Sequence, residues 1–302
     1  MRRTTPPRPV DVTAVFPDLA PLARPAIRLH PRPGSPTPHD SSVGGPLLWP
    51  ADEPWPHCPE LHEWQDPRTD EWHEGPNPML PVAQLYLRDV PLLRPPGQAD
   101  LFQLLWCPFE HEPDYKPPTA LFWRSTAEVT DVLAAPPETG AVEYEEYVPE
   151  PCVLAPERIT EYPKPQQLSR ELQQQLGDWS RWQASGARVD SSYAPYPDSF
   201  YSDELSIAPG WKVGGWAPWG LTDPVARFCA VCDAEMVPLL TIASKEWHYR
   251  HPGWVPAEDR AIASEPHSGV VNSPGIQISG GNHLQLYVCP QSPDHPHTDL
   301  IQ

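Results

Sequence analysis

The chain carries SVGGPLLWP at residues 42–50, and a related stretch, KVGGWAPWG, occupies residues 212–220. Each stretch is followed by the same three landmarks in the same order. These are a cysteine-bearing segment at 57–58 and 229–232, a short apolar segment at 80–87 and 236–242, and the similar sequences QLLWCP at 103–108 and QLYVCP at 285–290. Four landmarks in one order rarely arise by chance, so the sequence predicts an internal repeat of two related half-domains.

The rest of the sequence favours strands over long helices. The 302 residues include 46 prolines and 17 glycines, and proline is excluded from helix interiors and central strands. Short β-branched and aromatic runs lie between these residues, so we expect a β-rich α+β fold in which the two half-domains form one compact globular unit. The one clear amphipathic helix follows Pro165 and places Leu168, Leu172, Leu176 and Trp179 on one face.

The composition also predicts boundaries along the chain. The sequence predicts a disordered, proline-rich N-terminus over 1–13, a first half-domain over 14–120, a connecting segment with short helices over 121–200, and a second half-domain with cysteine knuckles over 201–302. Within the first half-domain, the alternating piece 26–30 is expected to form an edge strand.

The charge of the chain disfavours two classes of partner. With 40 acidic and 21 basic residues, the net charge is -19, which repels phosphate backbones and anionic lipid surfaces. We therefore expect neither nucleic acid nor membrane as a partner. No apolar stretch follows the basic residues Arg2 and Arg3, as a secretion signal would require, and the sequence predicts a cytoplasmic protein with a protein partner.

The second half carries a cysteine pattern typical of a zinc site. Cys229 and Cys232 form a C-x2-C knuckle, and Cys289, directly after the strand-like residues 286–288, begins a second. Ser292 stands where a second C-x2-C would place its partner. Zinc requires four thiolate or imidazole ligands, so we predict His295 as the fourth ligand, with His297 as the alternative.

The first half repeats the arrangement with mixed ligands. Cys58 and His62 are separated by three residues, as are Cys107 and His111, and both pairs occupy the corresponding points of the repeat. The spacing predicts a second zinc site. The alternative is that these are buried thiols and surface histidines, since a chain with 12 histidines produces some pairings by accident. Cys152 has no ligand spaced near it and is predicted to be a core thiol.

The glycine pairs and the missing catalytic motifs point away from an active site. Gly44, Gly45, Gly214 and Gly215 could bring backbone N–H groups close to a phosphate, but a tight turn beside a buried tryptophan is the favoured interpretation. The sequence has no G-x-S-x-G elbow, H-E-x-x-H helix or P-loop. It favours a non-enzymatic, zinc-stabilised protein-interaction module, chaperone-like or an immunity-type binder. The alternative is a metal-dependent hydrolase with an open zinc site.

Three stretches carry a resemblance to a known family. SVGGPLLWPADE at 42–53, KVGGW at 212–216 and LYVCP at 286–290 resemble the YwqG-like family in its actinobacterial form, and the match runs from about residue 26 to the C-terminus. The second half is similar, more distantly, to the C-terminal region of the programmed cell death protein 2 family. The first resemblance implies a compact β-rich fold and no agreed substrate. Ser292 departs from the second C-x2-C that many of these relatives carry.

Overall fold

A computed structural model of the protein describes residues 2–65, 69–139, 141–185, 191–248, 251–263 and 269–302. Contacts divide the chain into two units. Unit 1 comprises Met1–His30, Ala155–Val271 and His283–Gln302, and unit 2 comprises Pro31–Leu154 and Asn272–Asn282. Each unit is thus built from separate segments of the chain, whereas the sequence predicts contiguous half-domains.

The described residues form a sheet-rich α+β structure, as the composition predicts. The strands are β1 (Arg24–Arg28), β2 (Arg32–Pro33), β3 (Ser42–Val43), β4 (His57–Gln65), β5 (Trp72–Pro78), β6 (Leu80–Tyr86), β7 (Leu101–Trp106), β8 (Thr119–Arg124), β9 (Cys152–Val153), β10 (Glu157–Glu161), β11 (Lys212–Gly214), β12 (Val237–Ala243), β13 (His283–Val288) and β14 (Thr298–Ile301). The α-helices are α1 (Val12–Val15), α2 (Arg170–Leu176), α3 (Trp179–Ala184), α4 (Pro197–Tyr201) and α5 (Arg260–Ala263). No helix among these residues has the length and apolarity to cross a bilayer.

Unit 1 is built on an antiparallel sheet of six strands in the order β10-β1-β11-β12-β13-β14. The register between β12 and β13 shifts between Pro238 and Leu240. Strand β1 lies between β10 and β11, so the expectation of an edge strand over 26–30 is wrong.

The position of β1 is stabilised by a buried ion pair and by buried hydrogen bonds that local sequence does not reveal. The side chains of Arg28 and His30 are fully buried. His30 Nδ1 lies 2.5 Å from Glu246 Oε1, and its Nε2 lies 3.2 Å from Glu157 Oε2. Arg28 donates to Glu246 Oε1 at 3.3 Å. The carboxylate of Glu246 therefore compensates the charge of Arg28, and carboxylates from distant segments satisfy the ring nitrogens of His30.

Unit 2 contains a six-stranded sheet and a separate hairpin. The sheet has the order β2-β9-β3-β6-β7-β8 with antiparallel pairing throughout, and the hairpin pairs β4 with β5. The register between β6 and β7 shifts between Pro81 and Ala83. A proline in the strand removes a ladder hydrogen bond, which explains why pairing is irregular there.

The predicted amphipathic helix is two helices in unit 1. Leu168, Leu172 and Leu176 are buried as predicted, in one apolar cluster with Trp182. Helix α2 ends at Leu176 with Gly177 as its C-cap, however, and Asp178 caps α3 by accepting from the N–H of Ser180. The N-terminal segment also packs on this unit: Thr5 donates to Glu157 at 2.7 Å, and Val12 is buried. These contacts involve residues of the segment 1–13, for which the composition predicts disorder.

The glycine pairs have an architectural role. Gly44 has a φ of +64°, and a Cβ atom there would lie 2.5 Å from the carbonyl oxygen of Pro149. In unit 1 the backbone N–H of Trp216, which follows Gly215, donates to Glu161 Oε2 at 2.8 Å, and Lys212 Nζ donates to the same carboxylate at 2.7 Å. The position that an anion could occupy is filled by the protein's own glutamate.

Candidate metal centres

The first cluster lies in unit 2, where the hairpin meets the end of β7. Cys58 and His62 are both on β4, Cys107 directly follows β7, and His111 lies in the next turn. Cys107 is placed by its backbone N–H, which donates to Pro118 O at 2.9 Å, and His111 by two backbone bonds with Lys116 and Tyr115. The strand end and the hairpin therefore fix all four side chains.

The four donor atoms of this cluster surround one point. They all lie within 4.8 Å of one another. Cys58 Sγ is 3.2 Å from His62 Nε2 and 3.4 Å from His111 Nε2, and Cys107 Sγ is 3.3 Å from His62 Nε2. Zinc bound tetrahedrally at about 2.3 Å to sulfur and about 2.0–2.1 Å to nitrogen separates neighbouring donors by roughly 3.3–3.8 Å. The donor set and its dimensions fit zinc.

Neighbouring groups orient the two imidazoles. The Glu60 carboxylate lies 3.1 Å from His111 Nδ1, which leaves Nε2 facing the sulfurs. A carboxylate behind a ligating histidine is a recurrent feature of zinc sites because it fixes the tautomer. The His62 ring stacks on Phe109 with centroids 4.1 Å apart. Burial lowers the pKa of His62, and the neighbouring His111 lowers it further, so the neutral ligand form is favoured.

The second cluster lies in unit 1 at the end of a tight hairpin. Residues 227–236 form this hairpin: Met236 N donates to Arg227 O at 2.8 Å, and Cys229 N donates to Ala234 O at 2.9 Å. Cys229 and Cys232 lie in it, and Cys289 directly follows β13. His295 completes the group, and the four donor atoms lie within 4.8 Å of one another.

Three short contacts define the second cluster. Cys232 Sγ lies 3.4 Å from Cys289 Sγ, and His295 Nδ1 lies 3.3 Å from Cys289 Sγ and 3.4 Å from Cys229 Sγ. The set of three sulfurs and one nitrogen matches the Cys3His type of structural zinc site.

Backbone amides support the thiolates of this cluster. Val231 N donates to Cys229 Sγ at 3.4 Å. Burial opposes ionisation of Cys229, but the N–H groups of Val231 and Cys232 outweigh it and lower the pKa of this thiol. Amides of Ser292 and Gln291 likewise lower the pKa of Cys289 against the effect of burial. Thiolate is the form that binds metal.

All eight sequence-predicted ligands fall into these two groups. Cys58, His62, Cys107 and His111 form one, and Cys229, Cys232, Cys289 and His295 the other. His297, the alternative ligand, is outside the second group. Ser292 instead shapes the turn, because its carbonyl accepts from His295 N at 3.3 Å and its hydroxyl from Asp294 N at 3.3 Å. Cys152 is buried apart from both groups, and burial raises its pKa to about 12.

Sequence reasoning missed the group behind His111. Glu60 lies two residues after Cys58, and only the fold brings it to the other side of the cluster. The signal that could have identified Glu60 is its position as an acidic residue between Cys58 and His62 of the Cys-x3-His knuckle.

Three cavities in the described residues lie apart from the clusters. The largest, of about 590 Å³ in unit 1, is lined by Tyr193, Tyr196, Asp203, His248 and His251 among others. A second in unit 1 has about 340 Å³, and one in unit 2 has about 180 Å³. None of the three is lined by a residue of either cluster.

No protein-family model matches the chain, and no curated protein matches it significantly.

Proposed function

We propose that the protein is a non-enzymatic, zinc-stabilised protein-interaction module. The observation that carries this proposal is the composition of the two clusters, which offer Cys2His2 and Cys3His ligand sets from one unit each. Structural zinc sites use such sets, whereas catalytic zinc sites keep one position for water or substrate. Four ligands in each cluster therefore favour structural metal over the alternative of a hydrolase.

The surface of both cluster-bearing regions supports an interaction role. Leu61, Trp72 and Tyr115 are each at least 60% exposed, and they lie on or beside the elements that carry the first cluster. Five more exposed apolar residues lie between 221 and 237, around the second cluster. Together these make eight of the twelve most exposed large apolar residues in the described part of the chain. Concentrated apolar exposure is typical of binding surfaces.

We further propose that the two halves are copies of one unit and that the chain is a YwqG-like protein. In both sheets the strand of the Val-Gly-Gly element pairs with a strand whose register shifts after a proline, at Pro81 and at Pro238. In both, the next strand ends directly before a cluster cysteine, Cys107 or Cys289. These correspondences support the repeat, and the motifs at 42–53, 212–216 and 286–290 support the family. We also propose a cytoplasmic location, which rests on the cysteine usage and on the absence of an apolar stretch after Arg2 and Arg3, and the exclusion of nucleic acid, which rests on the net charge of -19.

The test is metal content of purified protein, measured by mass spectrometry of the metal. We expect two zinc ions per chain in the parent, and one in Cys58→Ser and in Cys232→Ser. The matched control is Cys152→Ser, which removes a buried thiol outside both clusters and keeps two ions. His295→Ala is expected to lose an ion, whereas His297→Ala keeps both.

Two results contradict the proposal. A parent without zinc shows that the clusters are thiol and histidine contacts only. A parent that keeps its metal after loss of Cys58 or Cys232 shows that these residues are not ligands.

A further inference from the structure

The segment 221–237, which contains the hairpin of the second cluster, exposes an unusual amount of apolar surface. Its five large exposed apolar residues are 39–61% accessible. We define the knuckle face as Leu221, Val225, Phe228, Val231 and Val237. Single exposed apolar side chains are normal on a soluble protein, whereas several within one short segment are typical of a binding surface.

The hairpin geometry directs part of this face away from the core. Phe228 pairs directly opposite Glu235 in an isolated bridge. Since side chains alternate along a strand, Phe228, Glu235 and Val237 project to one side, and Cys229 and Met236 project to the other. Cys229 and Met236 are indeed buried, in a cluster with Tyr287.

The face rests on a fixed frame. The N–H groups of Gly220, Leu221 and Thr222 all donate to Gln302 Oε1, at 3.1–3.3 Å. Zinc at Cys229 and Cys232 would fix the hairpin itself. Side chains held in this way lose little conformational entropy on binding, so apolar contact is converted efficiently into affinity.

The charges around the face are predominantly acidic. Asp223, Asp233 and Glu235 are exposed, and none of them forms an ion pair within the described residues. Arg24 interacts electrostatically with Glu235, so only part of this acidic charge is compensated. Arg227, the one basic residue between 217 and 237, is engaged with Thr298 Oγ1 at 2.9 Å and lies over the Tyr287 ring. The apolar face therefore has an acidic border.

We infer that the knuckle face docks a segment of a partner protein that carries both apolar and basic side chains. Apolar groups of the segment pack on Phe228 and Val231, and its lysines or arginines meet Asp233 and Glu235. A second copy of this chain is a poor occupant because it carries the same acidic border and a net charge of -19. The inference rests on the proposed function, since it needs the metal-held hairpin.

The test uses a fluorescent synthetic peptide in which leucine and lysine alternate, with a leucine and glutamate peptide as its control. We expect the zinc-loaded parent to bind the basic peptide and not the acidic one. Phe228→Ser/Val231→Ser is expected to weaken binding about tenfold or more, because apolar residues at the centre of an interface dominate affinity. Tyr196→Ser, which removes an apolar side chain 70% exposed elsewhere in unit 1, is the matched control and leaves binding unchanged.

The double variant separates this inference from simple charge attraction and from the metal proposal. The double variant has the same net charge as the parent, and we expect zinc analysis to show that it also keeps its metal. Equal binding of the basic peptide by parent and double variant overturns the inference, as does a zinc-loaded parent that does not bind. Self-association of the parent that the double variant abolishes also overturns it, because the face then belongs to a second copy. Absence of zinc from the parent overturns the proposed function itself.

Discussion

His283 begins β13 with an imidazole that burial keeps neutral. Its Nε2 donates to Pro218 O at 2.9 Å, a bond that the neutral ring can make. Burial lowers its pKa from 6.5 to about 4, against the opposing effect of this hydrogen bond. A proton therefore binds His283 more tightly in the unfolded chain than in the folded one.

This difference predicts a loss of stability on acidification. The contribution of His283 is present above pH 6.5, the unfolded value, and is lost as pH falls towards about 4. Its full size is at most about 3.5 kcal/mol, at about 1.4 kcal/mol per pKa unit. We expect the melting temperature of the parent to fall more between pH 7 and pH 5 than that of His283→Gln, whose amide still donates but does not titrate.

The control for this comparison is His39→Gln at an exposed position. All three proteins keep the same clusters, so any release of metal at low pH affects them equally. Identical pH dependence of parent and His283→Gln would show that His283 does not titrate as its burial indicates.

For single residues, the sequence identifies the candidate metal ligands but not the groups that orient them. Cysteine and histidine spacing identifies Cys58 with His62 and Cys229 with Cys232, because knuckle geometry is local. The rigid turn around Ser292 also favours His295 over the more distant His297. Glu60 on β4, in contrast, contacts His111 in the turn after β7, and no spacing rule relates residues brought together by tertiary structure.

At the scale of elements, a strand that looks solvated can be central. Strand β1 contains Arg28, and His30 follows it, so its pattern is typical of an edge facing water. The compensating carboxylates are Glu157 and Glu246, more than a hundred residues away in sequence. Apolar periodicity predicted that a strand exists here, but its position depended on charges that only the folded chain brings together.

The turn after β3 offers an experiment on a single element. Gly44 and Gly97 both have positive φ, +64° and +53°, and both belong to unit 2. A Cβ at Gly97 meets nothing within 4 Å, whereas one at Gly44 lies 2.5 Å from Pro149 O and 2.7 Å from Glu150 O. The two positions therefore separate backbone strain from steric overlap.

We expect Gly97→Ala to lower the free energy of unfolding by about 1 kcal/mol, the cost of a left-handed alanine. Gly44→Ala is expected to cost about 3 kcal/mol or more, because backbone atoms must also move. Denaturant unfolding of both variants beside the parent measures the difference. Equal losses would mean that the turn at Gly44 relaxes without cost.

For the whole molecule, composition predicted the class of fold but not how the chain is distributed. The prolines and short apolar runs indicated a sheet-rich α+β structure, which the strands confirm. Unit 1 nevertheless draws on three separate segments, because β1 pairs with β10 and β11 rather than with its neighbours in sequence. Long-range pairing of this kind leaves no local signal, so contiguous boundaries were the simplest prediction available from sequence.

The two clusters belong to different units, and this division predicts which strands lose stability when each metal is removed. A metal that binds only the folded site adds its binding free energy to the stability of the structure around it. Cys58→Ser should therefore raise hydrogen exchange most in β4, β6 and β7, and Cys232→Ser most in the 227–236 hairpin, β12 and β13.

Each variant is the control for the other, and Cys152→Ser, which lacks a role in either cluster, should leave both regions protected. Exchange that rises equally in the two regions with either variant, or in neither, would contradict a local structural role for the metals. If the parent treated with a chelator shows both changes at once, and added zinc reverses them, the protection comes from the ions rather than from the thiols that hold them.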